Sequence, residues 1–453
     1  MEMEMEMEMI SREFIKPSSP TPPSQKIYKL SLLDQIVPPI YVPLVLYYPN
    51  SDKNHHEDSI SQILKESLSS TLSHFYPLAG RIRDTLSIDC NDEGVLFLVS
   101  RSNSTLSDIL RKPDPKACRT HIPSDLTWDE PGPGDKLAMV KLTFFRCGSF
   151  AVGSLFLHKI ADGVTVATFM KAWASRSRTP TEMMLPDYKA RSFFPHNEAM
   201  QREKHLFSAM RGYFKSGKTV MRRYVFESPG ISRLRAELSD GLDRPPTRVE
   251  IVSALIWKWF MIAADKARPG NGSPGPGVSL VTHGVNMRRK AEPRYPDGSF
   301  GNFLWLVTAS SGGDEAGQGL KGLFGKVRDA IGTVDPEFVK RMEDGNGEGF
   351  LGYCKNVEDA WKGFPEGADY LAITSWCNFG LYGIDFGFGR PAWITKCDGG
   401  SEVEWPFINV LWLMDTPEGD GIEAWLTLDQ SYFAHFDQIQ EIRDFASVDP
   451  PAN

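Results

Sequence analysis

Disulfide frameworks, grouped metal ligands, basic surfaces and long apolar runs are all missing from this 453-residue sequence. The six cysteines are scattered without a C-x-x-C pair, which argues against a disulfide-stapled domain or a zinc site and predicts free thiols in a reducing cytosol. The formal net charge is -8 and no basic stripe appears, which argues against nucleic-acid binding, because phosphate recognition depends on clustered Lys and Arg.

A membrane span and a signal peptide are also not indicated. The most apolar stretch, residues 36–48, contains three prolines and is shorter than the roughly 20 apolar residues of a spanning helix. The N-terminal Met-Glu repeats lack the basic and apolar regions of a signal peptide. These absences predict a cytoplasmic protein that acts on neither membranes nor nucleic acids.

Length and pattern predict two lobes. A chain of 453 residues is too long for one ordinary core, and its 41% hydrophobic and 24% charged residues are typical of globular proteins. Strands and helices are mixed in both halves, which predicts an α/β (α+β layered) fold. We place the first lobe at residues 1–195, a polar linker at 196–217 and the second lobe at 218–453.

Hydrophobic periodicity and turn residues predict individual elements. Residues 137–145 and 150–157 form a pair of strands, and the second of these runs straight into His158. The other predicted elements are a helix over 59–75, a hairpin of 86–89 with 95–100, a glycine-rich loop over 312–319, and a closing amphipathic helix over 430–446.

The segment His158–Gly163 reads H-x-x-x-D-G and is the main candidate for chemistry. A histidine at the end of a buried strand lies where ligands meet α/β sheets, and it titrates near neutrality, so it can accept a proton from an alcohol. A satisfied structural histidine is the competing interpretation. The second H-x-x-x-D, His121–Asp125, follows no strand and lacks the glycine, so we interpret it as structural.

Two nucleotide-binding patterns occur in unsuitable surroundings. Gly212–Thr219 matches G-x-x-x-x-G-K-T, but a charged helical pattern precedes it and a strand pattern follows, the reverse of a phosphate-binding loop. Gly317–Gly322 matches G-x-G-x-x-G several residues past the nearest strand, where the dinucleotide turn cannot form. No G-x-S-x-G elbow of a serine hydrolase is present.

A second distinctive segment, Asp385–Pro391, sets two glycines among aromatic residues and predicts a tight buried turn. Together with His158–Gly163, the segment Asp385–Gly389 resembles the two hallmarks of the plant BAHD acyltransferases, H-x-x-x-D-G and D-F-G-W-G, in the same order. Shorter matches extend the resemblance across nearly the whole chain. They are SLLDQ at 31–35, HFYPLAGR at 74–81, PTRVE at 246–250, NMR at 286–288, FGN at 300–302 and GIEAW at 421–425.

The resemblance implies a fold of two similar CoA-dependent acyltransferase lobes with a solvent channel between them. CoA would enter the channel from one face and the alcohol from the other, with His158 midway. The family's aspartate falls on Asp162, which would point away and hold the turn through an arginine, for which Arg288 is the candidate. Gly163 completes the motif. A segment after Asp385 would pack back on the first lobe.

The remaining site residues also follow from the resemblance. Asp385, Gly387 and Gly389 would be structural, and Phe388 stands where the family has tryptophan. Residues carried over from the family's channel positions would line the CoA site. Two of them would stabilise the oxyanion that forms on the thioester carbonyl oxygen in the tetrahedral intermediate. The CoA-lining residues are Ser253, Thr374, Ser375 and Trp376, and the oxyanion donors are Thr374 and Trp376.

The implied activity is transfer of an acyl group from an acyl-CoA co-substrate to a hydroxyl, with His158 as general base and no metal. The branch that uses acetyl-CoA on alkaloid alcohols is the best match, and family likeness favours a monomer. Three alternatives stay open: an aromatic acyl-CoA donor, an amine acceptor, and a non-catalytic relative that only binds a ligand. A nucleotide hydrolase using Gly212–Thr219 is the remaining alternative.

Overall fold

The structure is a computed structural model, and a defined part of the chain is described. The described residues are 6–50, 55–123, 131–179, 184–198, 217–268, 277–312, 319–343, 349–350, 352, 354–355, 362–363, 365, 367–397 and 408–452. Most of the predicted linker, including Gly212–Ser216 of the phosphate-loop-like segment, lies outside them.

Strands and helices alternate along the chain in both halves. The strands are β1 Met7–Ile15, β2 Ile27–Lys29, β3 Tyr41–Tyr48, β4 Arg81–Ile82, β5 Ser87–Asp89, β6 Val95–Ser102, β7 Ala138–Phe145, β8 Phe150–Leu157, β9 Thr219–Phe226, β10 Ser279–Asn286, β11 Leu304–Ser311, β12 Asp369–Ser375, β13 Trp393–Thr395, β14 Asn409–Asp415, β15 Ile422–Asp429 and β16 Ser447–Val448. The α-helices of the described residues are α1 Leu32–Gln35, α2 Glu57–Leu72, α3 Leu106–Arg111, α4 Pro115–Cys118, α5 Gly163–Arg178, α6 Ala190–Phe193, α7 Ser228–Leu238, α8 Arg248–Ala267, α9 Gly319–Gly332, α10 Pro336–Met342, α11 Gln430–Phe436 and α12 Ile442–Phe445.

The first lobe is built on a six-stranded sheet in the order β1-β6-β7-β8-β3-β13. The predicted pair of strands before His158 is confirmed, because β7 and β8 are antiparallel neighbours, and every residue of both strands is buried. Helix α2 presents Ile60, Leu64, Leu68 and Leu72 to the core at helical spacing, and it packs against α5.

The predicted hairpin of residues 86–89 and 95–100 is wrong. β5 pairs with β2 and β4 in a separate three-stranded sheet, whereas β6 pairs with β1 and β7. The intervening Asp92 has φ +58°, and its carboxylate accepts hydrogen bonds from Thr21 and Lys26. Tertiary contacts with the N-terminal segment therefore direct the two strands into different sheets.

The second lobe is built on a seven-stranded sheet in the order β11-β10-β12-β14-β15-β9-β16, with β10, β12 and β14 parallel at its centre. Helix α8 covers one face of this sheet. It begins with a capping box in which the Thr247 hydroxyl accepts from the Glu250 N–H and the Glu250 carboxylate accepts from the Thr247 N–H.

Two other predicted elements differ from the structure. Most of the predicted glycine-rich loop, residues 313–318, lies outside the described residues, and its last residue, Gly319, begins helix α9 instead. The closing helix is interrupted after Phe436 and resumes at Ile442. Glu441 lies in the interruption, where its carboxylate accepts hydrogen bonds from Lys258 and Trp259 of α8. This tertiary contact lies where the predicted helix over 430–446 would have continued without a break.

The lobes exchange chain segments. β13, although late in the sequence, pairs with β3 at the edge of the first sheet. The indole of its Trp393 donates to Glu423 of the second sheet at 3.4 Å, and Glu423 forms a buried ion pair with Arg223 at 3.1 Å. At the C-terminus the Ala452 N–H donates to the Leu110 carbonyl of the first lobe at 2.7 Å.

Cysteines and hydrophobic helices give two further observations. All six cysteines are free thiols, and Cys147 is the one that is partly exposed rather than buried. Among the helices of the described residues, none combines the length and apolar character that crossing a bilayer requires.

Candidate active site

His158 follows the last residue of β8, where the chain leaves the first sheet. Its backbone N–H donates to the Ile40 carbonyl at 2.7 Å, which fixes the start of the turn. The residue as a whole is partly exposed, and its ring Nδ1 lies 3.1 Å from the Asn302 side-chain oxygen. Burial, the largest cause, lowers the pKa of His158 below its usual value, although a hydrogen bond to its own backbone carbonyl, the Asp162 charge and Asn302 act in the opposite direction. The ring is therefore neutral at pH 7, as a general base must be.

Asp162 caps helix α5 and binds Arg288. Its Oδ1 accepts from the Thr165 N–H at 2.9 Å, and its Oδ2 accepts from the Phe303 N–H at 2.9 Å. The Arg288 guanidinium binds both carboxylate oxygens, at 2.6 and 3.2 Å. Burial raises the pKa of Asp162, but the Arg288 charge and these donors outweigh it and hold the pKa below the ordinary value.

Arg288 is fully buried and ties the two lobes together. Besides Asp162 of the first lobe, it donates to the carbonyls of Ser299 and Gly301 at 2.8 and 2.9 Å, and its guanidinium lies 4.5 Å from the centre of the Phe303 ring. A bidentate ion pair without solvent access fixes geometry strongly, because losing either partner leaves an uncompensated buried charge.

Gly163 leaves space for the second lobe to approach the catalytic turn. A Cβ at this position would lie 2.7 Å from the Phe379 ring and 2.9 Å from the Trp376 indole nitrogen. Trp376 directly follows β12 and packs edge-on against Trp412, with ring centres 5.4 Å apart. The H-x-x-x-D-G turn and the end of β12 are therefore in direct contact.

The other predicted CoA-lining residues lie at different depths. Thr374 is partly exposed, and its hydroxyl is about 4.0 Å from where a Cβ of Gly284 in β10 would stand. The Ser375 hydroxyl accepts from the Cys377 N–H at 3.3 Å. Ser253 is fully buried in α8, and its hydroxyl has no hydrogen-bond partner in the described part of the chain. Trp376 thus lies against the turn, Thr374 faces Gly284 of β10, and Ser253 lies within the core of the second lobe.

Asp385 organises a turn at the far end of helix α5. Its Oδ1 accepts from the N–H groups of Gly387 at 2.8 Å and Gly389 at 3.0 Å, and both glycines have positive φ, +97° and +93°. The carbonyl of the buried Phe386 accepts from the Ser177 hydroxyl at 2.8 Å. Since α5 begins at residue 163 and rises 1.5 Å per residue, this contact lies about 20 Å from the start of the helix.

Phe388 occupies the position of the family's tryptophan. It is partly buried, and its ring meets Phe150 edge-on at 5.6 Å and His55 at 4.9 Å. The Phe386 ring packs against Trp173 of α5 at 4.8 Å. Both aromatic rings of the segment therefore anchor it to the first lobe.

His121, the histidine of the second H-x-x-x-D pattern, lies in the core of the first lobe. It is fully buried, and its Nδ1 lies 2.9 Å from the Tyr47 hydroxyl, while Nε2 has no hydrogen-bond partner in the described structure. Burial, assisted by the Lys141 charge, lowers the pKa of His121 to about 3. Asp125 lies outside the described residues. A histidine without solvent access has no route to a substrate.

The buried His121 predicts a pH-dependent stability. Its pKa is about 3 in the folded protein and about 6.5 when unfolded, so between these values only the unfolded state is protonated. Stability contributed by the neutral ring is present above pH 6.5 and falls by about 1.4 kcal/mol per pH unit as the pH drops below 6.5. Urea unfolding between pH 7.5 and 4.5 should show wild type losing about 2–3 kcal/mol more than His121→Gln. Parallel curves for the two proteins would contradict the assignment.

Two residues that sequence reasoning did not assign complete the site. Asn302 touches His158, and the fully buried Asp34 touches Asn302. Asp34 lies in the segment SLLDQ and Asn302 in the segment FGN, both of which carry the family resemblance. The resemblance pointed to these segments but did not predict the contact between the two residues. Their separation along the chain hides the contact from any local pattern.

Known proteins resemble this chain in sequence and in structure. A family model described as the Transferase family matches residues 5–443. Epi-neemfruitin B 7-O-acetyltransferase of Melia azedarach is 37% identical over 98% of this chain and 99% of the relative. Vinorine synthase of Rauvolfia serpentina is 35% identical over 95% of this chain and 96% of the relative.

Solved structures give the same result for the fold. The crystal structure of vinorine synthase matches with a TM-score of 0.77 and 33% identity, covering 95% of this chain and 96% of that chain. TRI101 of F. sporotrichioides, complexed with coenzyme A and T-2, matches with a TM-score of 0.66 over 93% of this chain and 99% of that chain. At 15% identity the second match shows a shared fold alone. The predicted two-lobed α/β fold is confirmed.

Proposed function

Because this chain belongs to the BAHD family of acyl-CoA-dependent acyltransferases, we propose that it transfers an acetyl group from acetyl-CoA to a hydroxyl of a polycyclic plant metabolite, with His158 as general base. The observation that carries the proposal is the position of His158. The ring is neutral, the residue is partly exposed, and Asn302 engages Nδ1, which leaves Nε2 as the nitrogen that would meet a substrate.

The reaction follows from the acidity of its participants. A free alcohol is a weak nucleophile at pH 7, so His158 Nε2 accepts its proton while the oxygen bonds to the thioester carbonyl carbon. The carbonyl electron pair moves onto oxygen and forms a tetrahedral oxyanion. Collapse of this intermediate breaks the carbon–sulfur bond, and the departing CoA thiolate recovers the proton from the His158 imidazolium. The ester and free CoA are the products.

An oxyanion requires fixed donors close to the reacting carbon. Thr374 and the Trp376 indole are the proposed donors, supported by the contact of Trp376 with Gly163 and by the partial exposure of Thr374. Ser253 and Ser375 are the further CoA contacts of the proposal. The unpaired hydroxyl of Ser253 supports it least, because a ligand reaches a fully buried side chain only after the core has opened.

Asp162, Gly163 and Arg288 have a structural role in this proposal. The bidentate Asp162–Arg288 pair holds the turn that carries His158, and Gly163 admits Trp376. Asp385 with Gly387 and Gly389 is structural as well, supported by its distance along α5 from the reacting groups. The lobe boundaries at 1–195, 196–217 and 218–453 are part of the proposal, and the pairing of β13 with β3 supports a late segment packing back on the first lobe.

The acceptor class is proposed from the relatives. The relatives are named as acetyltransferases of epi-neemfruitin B in Melia azedarach, of a limonoid in Citrus sinensis and of salutaridinol in Papaver somniferum. The last of these matches at 32% identity over 95% of this chain and 96% of the relative. We infer an acceptor with a rigid polycyclic skeleton, either a limonoid or an alkaloid alcohol. The proposal also includes a cytoplasmic location and a monomeric state. It includes no nucleic-acid partner, which the net charge of -8 supports.

The proposed function predicts acetyl transfer in a direct assay. Purified protein is mixed with acetyl-CoA and a panel of limonoid and alkaloid alcohols, free thiol is followed with time, and products are read by mass spectrometry. The expected result is thiol release coupled to a gain of one acetyl group on an acceptor of the panel. Turnover with benzoyl-CoA but not acetyl-CoA would overturn the donor assignment. Binding of CoA without turnover on any acceptor or donor would favour the non-catalytic alternative.

A further inference from the structure

Asn302 stands between the catalytic histidine and a buried carboxylate. Its Nδ2 donates to Asp34 Oδ1 at 2.9 Å and to the His158 carbonyl oxygen at 2.9 Å. Its Oδ1 lies 3.1 Å from Nδ1 of the His158 ring. Asn302 and Asp34 are both fully buried, so water does not compete for these groups.

Asp34 acts toward Asn302 only as a hydrogen-bond acceptor. Its Oδ1 also accepts from the Asn302 backbone N–H at 2.7 Å, and its Oδ2 faces the backbone N–H and the hydroxyl of Ser31 at 3.0 and 2.7 Å. Burial raises the pKa of Asp34, but a proton would lie on Oδ2, toward the Ser31 hydroxyl. Oδ1 therefore accepts from Asn302 whether or not the carboxyl is ionised.

These contacts determine which way the Asn302 amide points. Both protons of an amide NH₂ are needed here, one for Asp34 and one for the His158 carbonyl, and neither of those oxygens can donate to an amide oxygen. A flipped amide would set its oxygen against two acceptors and its NH₂ against the ring. The orientation follows from the hydrogen-bond network, which is the accepted basis for assigning amides. The group facing His158 Nδ1 is accordingly an acceptor.

We propose that the chain of contacts from Asp34 through Asn302 holds the proton of the neutral His158 ring at Nδ1 and so keeps Nε2 unprotonated as the base. The inference rests on the proposed function, because only a reaction at His158 makes its tautomer important. Asn302 is a positioning residue, since it acts through His158. Asp34 belongs to the first lobe and Asn302 to the second, so the reactive form of the base depends on the two lobes being joined.

The tautomer is measured directly on the wild-type protein. The chain is labelled with [¹⁵N]histidine, and the two ring nitrogen shifts are recorded at a pH where the neutral form dominates. The spectrum of His158→Gln, which lacks the signal in question, gives the assignment. The expected result is a protonated Nδ1 and an unprotonated Nε2. A protonated Nε2 overturns the proposal without any reference to catalysis.

Two variants test the relay, and a third is the matched control. Asn302→Ala removes the side-chain acceptor at Nδ1 and leaves only the ring's contact with its own backbone carbonyl. Asp34→Asn weakens the anchor of the amide while keeping its shape. Asn409→Ala also deletes a buried amide that bridges two segments, the Tyr370 carbonyl and the Asp429 N–H, but in the second sheet. All three should lose stability, so melting temperature alone does not distinguish them.

The distinguishing results are the tautomer and the kinetic constants. Asn302→Ala is expected to lower kcat by about 10- to 100-fold, with the KM for acetyl-CoA changed by less than about threefold, and to populate the Nε2-protonated ring. Asp34→Asn should also lower kcat and populate the Nε2-protonated ring. Asn409→Ala should change neither kcat nor the tautomer. A kcat for Asn302→Ala within threefold of wild type overturns the proposal. If the wild-type protein transfers no acyl group at all, the proposed function fails. The tautomer measurement then still decides, independently of activity, whether Nδ1 of His158 carries the proton.

Discussion

His158→Ala is expected to lower kcat by about 10²- to 10⁴-fold, which is the usual contribution of a positioned general base. The alanine leaves the attacking alcohol with its proton, whereas the groups proposed to bind CoA are unchanged. The Kd for CoA should therefore stay within about twofold of wild type. The measurements are thiol release under saturating acetyl-CoA and acceptor, and CoA titration by calorimetry.

His435→Ala is a suitable control for that experiment. His435 is a partly exposed histidine on α11 of the second lobe, without a proposed role, and its replacement should leave kcat unchanged. A His158→Ala protein that keeps a tenth or more of wild-type turnover would contradict the general-base assignment. A variant that also loses CoA binding would instead place His158 in the binding site for the donor.

Asp162→Asn is expected to lower the free energy of unfolding by about 3–5 kcal/mol, because the fully buried Arg288 charge loses its ionised partner. The amide keeps the shape of the side chain and part of its capping of α5, so the loss reports the charge. Activity should fall together with stability, since the same pair holds the turn that carries His158. Urea unfolding followed by tryptophan fluorescence measures the first effect, and turnover at 15 °C measures the second.

An exposed ion pair supplies the comparison for Asp162. Glu337 and Arg341 pair at 3.1 Å on helix α10, and both side chains are largely solvent-accessible, so Glu337→Gln should produce little change in unfolding. An Asp162→Asn protein that unfolds like wild type yet turns over no substrate would show that the carboxylate acts in the chemistry itself.

The local part of the site was accessible from the sequence, and the part made by distant residues was not. His158 at the end of a buried strand follows from the nearly continuous apolar run of residues 150–157 and the turn after it. The contact of Asp162 with Arg288 came from family resemblance, because no periodicity connects residues 126 positions apart. Asn302 and Asp34 are 268 positions apart, and a hydrogen bond over that separation leaves no trace in local composition.

The errors in the predicted elements have the same origin. The residues between β5 and β6 read as a hairpin turn, but Asp92 is bound by side chains and backbone of the N-terminal segment, and the strands separate. The closing helix has a continuous amphipathic pattern, but Glu441 turns out of it to meet Lys258. In each case a polar contact with a distant segment outweighs the local preference.

The placement of β13 has a consequence for synthesis of the chain on the ribosome. The first lobe contains nearly all of its sheet once residue 157 has emerged, yet the strand that covers the outer side of β3 is residues 393–395. Until those residues emerge, β3 presents an open row of backbone N–H and C=O groups, the kind of surface on which nascent chains stick to one another. Chaperone capture should therefore be strongest for ribosome-bound chains from which residue 157 has emerged but residues 393–395 have not, and release should coincide with the emergence of β13.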